Sequence, residues 1–151
     1  MGDSITIRYT GTFQPALDSK KRVTVPHKWR GEPGEDLYCF PHPAMKCLVV
    51  MPVETFSRML NEIRQRGDLT QGQKRDRREK ITRSSEMVCV DKAGRISLKP
   101  DQLEAVGIKD EVILTGDEDR FKIWSPAAFR EESQRQDREI PVSEFATLID
   151  L

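Results

Sequence analysis

Two aspartate–arginine pairs with the same spacing are the residues of this sequence best suited to binding chemistry. Asp18 stands four positions before Arg22, and Asp91 stands four positions before Arg95, 73 positions further along the chain. An aspartate at the start of such a segment can accept hydrogen bonds from nearby backbone amides and fix a tight turn. The planar guanidinium that follows can bind a carboxylate, a phosphate or a guanine edge through two hydrogen bonds. The sequence therefore predicts two turns that each present an arginine.

Each pair also has a structural interpretation, in which an internal salt bridge closes the turn. Gly94 can adopt the positive φ that a tight turn requires, whereas Lys21 at the matching position would either be strained there or use another geometry. We expect one residue of each pair to be partly structural. Contact with an anionic ligand is favoured because the same cationic surroundings occur twice, and the neighbouring lysines are Lys20, Lys21, Lys92 and Lys99.

The similarity between the two segments extends beyond the turns and indicates an internal duplication. Leu48–Met51 matches Phe121–Trp124 in the same register, and Phe56 matches Phe129. A unit of about 70 residues buries too little surface to be stable alone. The 151 residues therefore form one domain, or two small units that share a core, and the halves are expected to pack on each other or on neighbouring chains.

Apolar alternation predicts strands around each turn. A first strand is expected over Ile5, Ile7 and Tyr9. A further strand follows each turn and a hairpin follows that strand. The predicted segments are 23–25, 37–40 and 47–51 in the first half, and 96–98, 112–114 and 121–124 in the second.

Helices are predicted after each hairpin. An apolar stripe at positions i, i+3, i+4 and i+7 predicts a helix over about 53–66. Pro126 suits the first turn of a matching helix that continues to about residue 138. A short helical turn in the second half is expected to end at Gly107.

A charged segment separates the halves. Residues 74–80 hold five basic and two acidic side chains. We interpret them as a solvated connector with i,i+4 ion pairs, and a phosphate-contacting helix is the alternative. The expected organisation is a first repeat over 1–70, a connector over 71–86, a second repeat over 87–139, and a tail over 140–151 that is either loose or a docking segment.

The composition shows no overall attraction to nucleic acid. Basic and acidic residues both number 25, so the net charge is zero and only local patches can attract an anionic partner. Residues 1–30 hold six basic and two acidic groups, whereas residues 101–119 hold one basic and seven acidic groups. No apolar run reaches the ~18–20 residues of a membrane span, and no apolar targeting segment begins the chain. No membrane partner is expected.

The cysteines and histidines give no sign of a metal site or an active site. Cys39, Cys47 and Cys89 form no CxxC pair and are expected to be buried thiols in a reducing cytosol. Cys39, His42 and Cys47 could be metal ligands only with a fourth ligand that is not recognisable. His27 and His42 lie near no nucleophile motif and no phosphate-binding glycine loop. Neither an enzyme, nor a cofactor, nor a small-molecule substrate is expected.

The doubled motif set resembles the MraZ family. Its parts are the opening Tyr9-Thr-Gly-Thr-Phe13, the repeated Asp-x-x-x-Arg followed by a strand and a proline, and Arg120–Trp124 near the end of the second unit. The resemblance covers most of the chain. It implies an α+β fold of duplicated, swapped-hairpin β-barrel units, similar to the AbrB transition regulators, with flanking helices.

The resemblance also implies a function. Family members are sequence-specific DNA-binding regulators of division and cell-wall genes, which form rings and bind short tandem repeats upstream of their own operon. The implied partners are double-stranded promoter DNA and further copies of the chain, in the cytoplasm at the nucleoid. Carried over by motif position, the DNA-contacting residues are Lys20, Lys21, Arg22, Lys92, Gly94 and Arg95, and the turn-structuring residues are Asp18 and Asp91.

Some positions depart from the family pattern. Lys21 stands where glycine is usual, Lys99 where proline is usual, and Thr10 where a basic residue is usual. These differences bear on the target sequence and ring size more than on the fold. An AbrB-like protein-interaction module, or an oligomeric scaffold without DNA binding, is the alternative function, and the zero net charge favours it.

Overall fold

The computed structural model describes residues 6–150 and shows a mixed α+β fold with antiparallel sheets. The strands are β1 Thr12–Phe13, β2 Arg22–Thr24, β3 Asp36–Pro41, β4 Cys47–Pro52, β5 Glu86–Cys89, β6 Arg95–Ser97, β7 Ile113–Asp117 and β8 Arg120–Trp124. The helices are α1 Val53–Arg64, α2 Gln71–Ser84, α3 Pro100–Ala105, α4 Pro126–Glu139 and α5 Val142–Ile149, and a 3-10 turn spans His27–Trp29. The strands and helices that flank both turns are therefore found close to the predicted bounds.

Strands from both halves of the chain share one sheet. Its order is β1-β7-β8-β4-β3-β5, and β2 pairs with β6 in a separate two-stranded ladder. This order is palindromic, because strands at matching positions in the two halves of the chain lie at equal distances from the centre of the sheet. The matching pairs are β8 with β4, β7 with β3, and β1 with β5. The outer strand of each half pairs with the hairpin of the other half.

The expected closed barrel is not formed by residues 6–150. The large sheet is open, with edges at β1 and β5, and the β2–β6 ladder stays outside it. The strand β1 has only two residues and therefore offers too short a ladder to join the sheet edges. The fold class is correct as α+β, and its barrel description is wrong.

An aromatic cluster joins the two halves in the main core. Trp29 is fully buried, and its ring centroid lies 5.6 Å from that of Tyr9, 5.0 Å from Phe13 and 5.1 Å from Phe121. The indole Nε1 donates a hydrogen bond of 2.9 Å to the carbonyl of Thr10. The buried indole thus has the polar partner that it requires.

The helix α1 covers the opposite face of the hairpin formed by β3 and β4. Its Phe56 stacks on Tyr38 with ring centroids 4.2 Å apart and lies in one apolar cluster with Phe40, Met51 and Leu60. This is the stripe that predicted the helix, which ends at Arg64 instead of residue 66.

The predicted first strand is wrong. Ile5 lies outside the described residues, Ile7 is exposed, and Tyr9 forms only an isolated bridge with Glu118. The amides of Arg8 and Tyr9 both donate to the Glu118 carbonyl at 2.9 Å. Two donors that share one acceptor cannot continue the alternating pattern of an antiparallel ladder.

Two of the three cysteines are buried as predicted, and the third is not. Burial raises the pKa of Cys39 to about 12 and that of Cys47 to about 11. Cys89 is exposed. It ends the edge strand β5, where Val88 faces the core, and the alternation of side chains along a strand turns the next residue outward.

The charged connector is the helix α2. Thr70 accepts a hydrogen bond from the Gln73 amide, and the Gln73 side chain accepts one from the Thr70 amide, which together form a capping box. None of the residues of α2 is buried. Within residues 6–150 the ion pair on this helix is Arg75 with Asp76, so the predicted i,i+4 pairs are wrong.

The end of the chain is also helical. The helix α5 has no buried residue, which leaves the choice between a loose tail and a docking segment open. None of the helices within residues 6–150 is long and apolar enough to cross a membrane.

Candidate nucleic-acid interface

The first turn is closed by the carboxylate of Asp18. Its Oδ1 accepts hydrogen bonds from the amides of Lys20 at 2.9 Å and Arg22 at 2.8 Å. Two backbone bonds of 3.0 Å run from the Asp18 amide to the Arg22 carbonyl and from the Lys21 amide to the Asp18 carbonyl. Four hydrogen bonds therefore fix the backbone conformation of residues 18–22.

The second turn repeats all four of these bonds. Oδ1 of Asp91 accepts from the amides of Ala93 at 2.9 Å and Arg95 at 2.8 Å. The Asp91 amide donates to the Arg95 carbonyl, and the Gly94 amide donates to the Asp91 carbonyl, both at 2.9 Å. The two turns thus have one geometry as well as one sequence pattern.

Each arginine binds its own aspartate through Nε. The bond from Arg22 to Asp18 Oδ2 is 2.7 Å and that from Arg95 to Asp91 Oδ2 is 3.0 Å. The arginine side chains are 28% and 34% exposed. In the part of the chain that the structure describes, the terminal nitrogens of both guanidinium groups make no hydrogen bond. The salt bridge and a ligand contact are therefore compatible, because they use different nitrogens.

The ladder of β2 and β6, here called the ribbon, joins the two turns. Its inner face consists of Val23 and Ile96, which pair directly and are both 0% exposed. Two backbone bonds of 2.8 Å extend the ladder, from the Leu98 amide to the Lys21 carbonyl and from the Val25 amide to the Gly94 carbonyl. Each turn is thus tied to the end of the opposite strand.

The outer face of the ribbon carries both arginines. Arg22 pairs with Ser97, and Thr24 pairs with Arg95. Directly opposed side chains share a face, and diagonal neighbours on that face are roughly 7–8 Å apart. Arg22 and Arg95 are such diagonal neighbours. The ribbon therefore presents two arginines side by side, with one basic turn at each end.

Arg30 is a cation of this site that the sequence patterns did not indicate. Its Nε donates a hydrogen bond of 3.0 Å to the Val25 carbonyl, and its guanidinium packs against Gly94. A Cβ atom at Gly94 would lie 2.2 Å from the Arg30 Cζ. Since Arg30 lies outside the repeated motif, only the folded chain shows this contact.

The two turns differ at the residue with positive φ. Gly94 has φ +82° and is buried under Arg30, so a side chain at this position would require the Arg30 guanidinium to move. Lys21 has φ 60° in the first turn, and its Nζ lies 3.5 Å from the Lys109 carbonyl. The left-handed conformation predicted for Gly94 is therefore present, and of the two alternatives for Lys21 the structure shows the strained, left-handed one.

Hydrogen bonding keeps the two turn carboxylates ionised. The amide of Arg22 is the main cause that lowers the pKa of Asp18 below its ordinary value of 3.8, and the guanidinium of Arg22 adds to the effect. The pKa of Asp91 is lowered in the same way by the amide and guanidinium of Arg95. Each arginine thus lies beside a permanent negative charge at neutral pH, and the neighbouring exposed lysines supply the excess of positive charge.

The histidine considered as a metal ligand has a different role. Nδ1 of His42 accepts hydrogen bonds from the amides of Ala44 at 3.0 Å and Met45 at 3.1 Å, so the ring closes the turn between β3 and β4. Burial, with Lys122 nearby, lowers the pKa of His42. Across residues 6–150 no group of three or more His, Cys, Asp or Glu side chains could hold a metal ion.

Comparison with known proteins places these features in a family. The family model described as "MraZ protein, putative antitoxin-like" matches residues 82–148. The transcriptional regulator MraZ of Caulobacter vibrioides (strain NA1000 / CB15N) is 31% identical over 133 residues, which cover 85% of this chain and 83% of the relative. The chain belongs to the MraZ family. The MraZ transcriptional regulator of Nocardioides sp. (strain ATCC BAA-499 / JS614) is 32% identical, with 84% of this chain and 87% of the relative covered.

MraZ proteins are transcriptional regulators and not enzymes, which agrees with the prediction that this chain is not an enzyme. The match over the second half of the chain includes Asp91 and Arg95. The identities of about 30% to MraZ relatives extend over most of the chain.

The contact between Arg30 and Gly94 leads to a stability prediction. Gly94→Ala should destabilise this MraZ protein by more than the roughly 1–2 kcal/mol of a left-handed non-glycine residue, because the new Cβ atom also displaces Arg30. In an Arg30→Ala background the cost should fall to the backbone strain alone. Denaturant unfolding of the four proteins measures both costs. Gly34→Ala is the control, since Gly34 has φ +79° and no atom within 4 Å of its Cβ position. An equal loss of unfolding free energy at positions 34 and 94 would contradict a contribution from the contact between Arg30 and Gly94.

The lowered aspartate pKa values predict a dependence of stability on pH. A carboxyl group whose pKa is depressed in the folded protein stabilises it above the unfolded pKa, and this contribution is lost as the pH falls through the folded pKa. Asp18→Asn and Asp91→Asn should therefore lower the melting temperature at neutral pH, and the difference from wild type should shrink below about pH 4. Thermal unfolding across this pH range checks the trend, with the exposed Asp110→Asn as control. If the difference in melting temperature between wild type and the variants did not change with pH, the charge of the carboxylates would not be the cause of the stabilisation.

Proposed function

We propose that this protein is a sequence-specific, DNA-binding transcriptional regulator. The ribbon is the observation that carries the proposal, because the major groove of B-DNA admits a two-stranded β-ribbon and known β-ribbon proteins read DNA in this way. The ribbon has a buried apolar face and an outer face with Arg22 and Arg95. The name of its MraZ relatives, transcriptional regulator, supports the regulatory role.

The proposed contacts divide between bases and phosphates. Arg22 and Arg95 would use their terminal nitrogens for two-point contacts with guanine O6 and N7, the commonest specific contact in the major groove. The lysines of the turns, Lys20, Lys21 and Lys92, would bind phosphates and set the register without selecting a sequence. Gly94 would contribute by its conformation and by the space that it leaves for Arg30.

Asp18 and Asp91 would act indirectly in this proposal. They hold the turns through backbone amides and fix the direction of each guanidinium through Nε. A side chain that is oriented before binding loses less conformational freedom when DNA arrives.

The finer architecture forms part of the proposal. The halves over 1–70 and 87–139 would be copies of one swapped-hairpin unit joined by the connector over 71–86. The palindromic strand order and the equal geometry of the two turns support this duplication. One chain would then present one reading head with two equivalent arginines.

The target and the assembly are proposed from the family resemblance. The protein would act in the cytoplasm at the nucleoid and bind short tandem repeats in the promoter of its own operon, which contains division and cell-wall genes. A closed homo-oligomer, arranged as a ring, would carry several heads. A single head with few phosphate contacts would bind weakly at physiological salt, and linked heads raise the overall affinity through effective concentration.

The competing function is a protein-interaction module or a scaffold without DNA binding. The net charge of zero is its support. The local arrangement favours DNA, because each ribbon arginine is accompanied by exposed lysines, and its aspartate occupies only Nε.

Single arginine substitutions test the proposed function. Arg22→Ala and Arg95→Ala should each weaken specific binding by about 1–3 kcal/mol, the usual value of a two-point base contact, while the melting temperature changes little. Fluorescence anisotropy should compare DNA from upstream of the protein's own gene with a scrambled duplex over a salt series. Arg64→Ala is the control, because Arg64 is exposed at the end of α1. A variant that melts early but binds normally per folded molecule would identify its arginine as purely structural.

The spacing of paired sites tests the proposed assembly on DNA. Adjacent heads should engage tandem sites about one helical turn apart, ~10–10.5 bp, because this is the shortest spacing that places both sites on the same side of the duplex. Binding to paired sites whose spacing changes in single base pairs should show maximal affinity at this value and a loss after a further half turn. An affinity that stays the same when the spacing between the sites changes by half a turn would contradict the proposal that adjacent heads bind the DNA together.

A further inference from the structure

The helix α5 exposes an apolar face that packs on no other part of residues 6–150. Val142, Phe145, Leu148 and Ile149 are 86%, 56%, 58% and 67% exposed. Their spacing places Val142, Phe145 and Ile149 at i, i+3 and i+7 on one side of the helix. An amphipathic helix with such anchors typically lies in an apolar groove of a partner.

An apolar groove of about 430 Å³ lies elsewhere on the same chain. We call it the α2 groove. The hairpin of β3 and β4 forms one wall with Phe40, Pro41 and Pro43, and α2 forms the other with Ile81. Phe40 and Ile81 belong to the cluster under α1, so the floor of the groove is part of the folded core and is formed before any partner arrives.

The charges of α5 and of the α2 groove are complementary. The cations Arg77, Lys80 and Arg83 line the groove beside α2. The helix α5 carries the acidic residue Glu144 and ends at Asp150, and it has no basic residue. Complementary charges around an apolar contact select the partner and its orientation.

The position of α5 favours contact with another chain. It follows α4 after only two residues, Ile140 and Pro141. Since α4 has 14 residues, its length of about 21 Å carries α5 away from strand β8, and α5 remains exposed on its own chain.

We propose that α5 of one chain docks in the α2 groove of a second copy of this chain. Every copy then offers one helix and one groove, so the contact is heterologous and its repetition closes into a ring or grows into a filament. This interface would serve the assembly suggested under the proposed function, but it does not depend on the ribbon or on DNA.

Three variants test the contact. Phe145→Ser with Ile149→Ser removes two apolar anchors of the helix, at exposed positions that the fold does not need. Lys80→Glu with Arg83→Glu reverses the charge of the groove. Glu144→Lys with Asp150→Lys reverses the charge of the helix.

Light scattering coupled to gel filtration should give a multiple of 17.4 kDa for the wild type and about 17.4 kDa for each variant at the same micromolar concentration. The matched control, Arg64→Glu with Lys109→Glu, reverses two exposed charges outside the groove and should assemble as wild type.

Two recombinations decide between this contact and other causes of dissociation. The charge-reversed groove and the charge-reversed helix, combined in one chain, should restore assembly. An equimolar mixture of the anchor variant with the groove variant should form a dimer, because one intact helix and one intact groove remain. A monomeric wild type, unchanged assembly in the helix and groove variants, or a mixture that stays monomeric would overturn the proposal. Arg22→Ala should assemble normally, so that a failure of DNA binding and a failure of this interface are distinguishable.

Discussion

The pairing of β2 with β6 is the constraint on which the candidate site depends. Val23 lies opposite Ile96, and both are fully buried, which stabilises the fold by roughly 1.5–3 kcal/mol for each side chain. Since side chains alternate along a strand, the buried pair forces Arg22 and Arg95 to the outer face. A slip of one residue would bury both arginines. The same register therefore stabilises the junction of the two halves and directs their cations to solvent.

The aspartate of each turn would have two opposing effects on the proposed binding of DNA. Its negative charge weakens the attraction of the adjacent arginine for an anion, and both carboxylates stay ionised because backbone and guanidinium donors lower their pKa. Its bond to Nε also restrains a side chain that would otherwise lose about 2 kcal/mol of rotamer entropy on binding. A guanidinium held in one orientation can select a ligand because its donors point in fixed directions, whereas a freely rotating cation contributes only its charge. The arrangement suits recognition of a base edge better than binding to any phosphate.

The sequence was a good guide to local structure and to the buried faces of strands and helices. It was a poor guide to which distant segments pack on each other. The motif predicted the positive φ of Gly94 and left that of Lys21 open, and periodicity predicted α1 and both hairpins. Periodicity shows which face of a strand is buried but not which strand lies beside it, so periodicity alone did not predict the exchange of outer strands between the halves or the open sheet. The Arg30 contact was missed for a related reason. It joins a residue after the 3-10 turn to a loop of the other half, and no local pattern connects them.

The net charge of zero is compatible with specific DNA binding when the position of the charges is considered. Two of the seven acidic residues in 101–119 form salt bridges, since Asp119 binds Arg58 and Arg120, and Asp117 binds Lys122. Exposed charges further than a Debye length of about 8 Å from a phosphate are largely screened at physiological salt. Part of the acidity lies closer to the ribbon, because Glu104 lines one pocket with Lys21 and Glu111 forms an isolated bridge with Ala16, two residues before Asp18. In the proposed function this acidity reduces the general attraction that drives non-specific binding. In the proposed function, a low net charge with a local basic ribbon would thus raise the share of the affinity for DNA that depends on sequence.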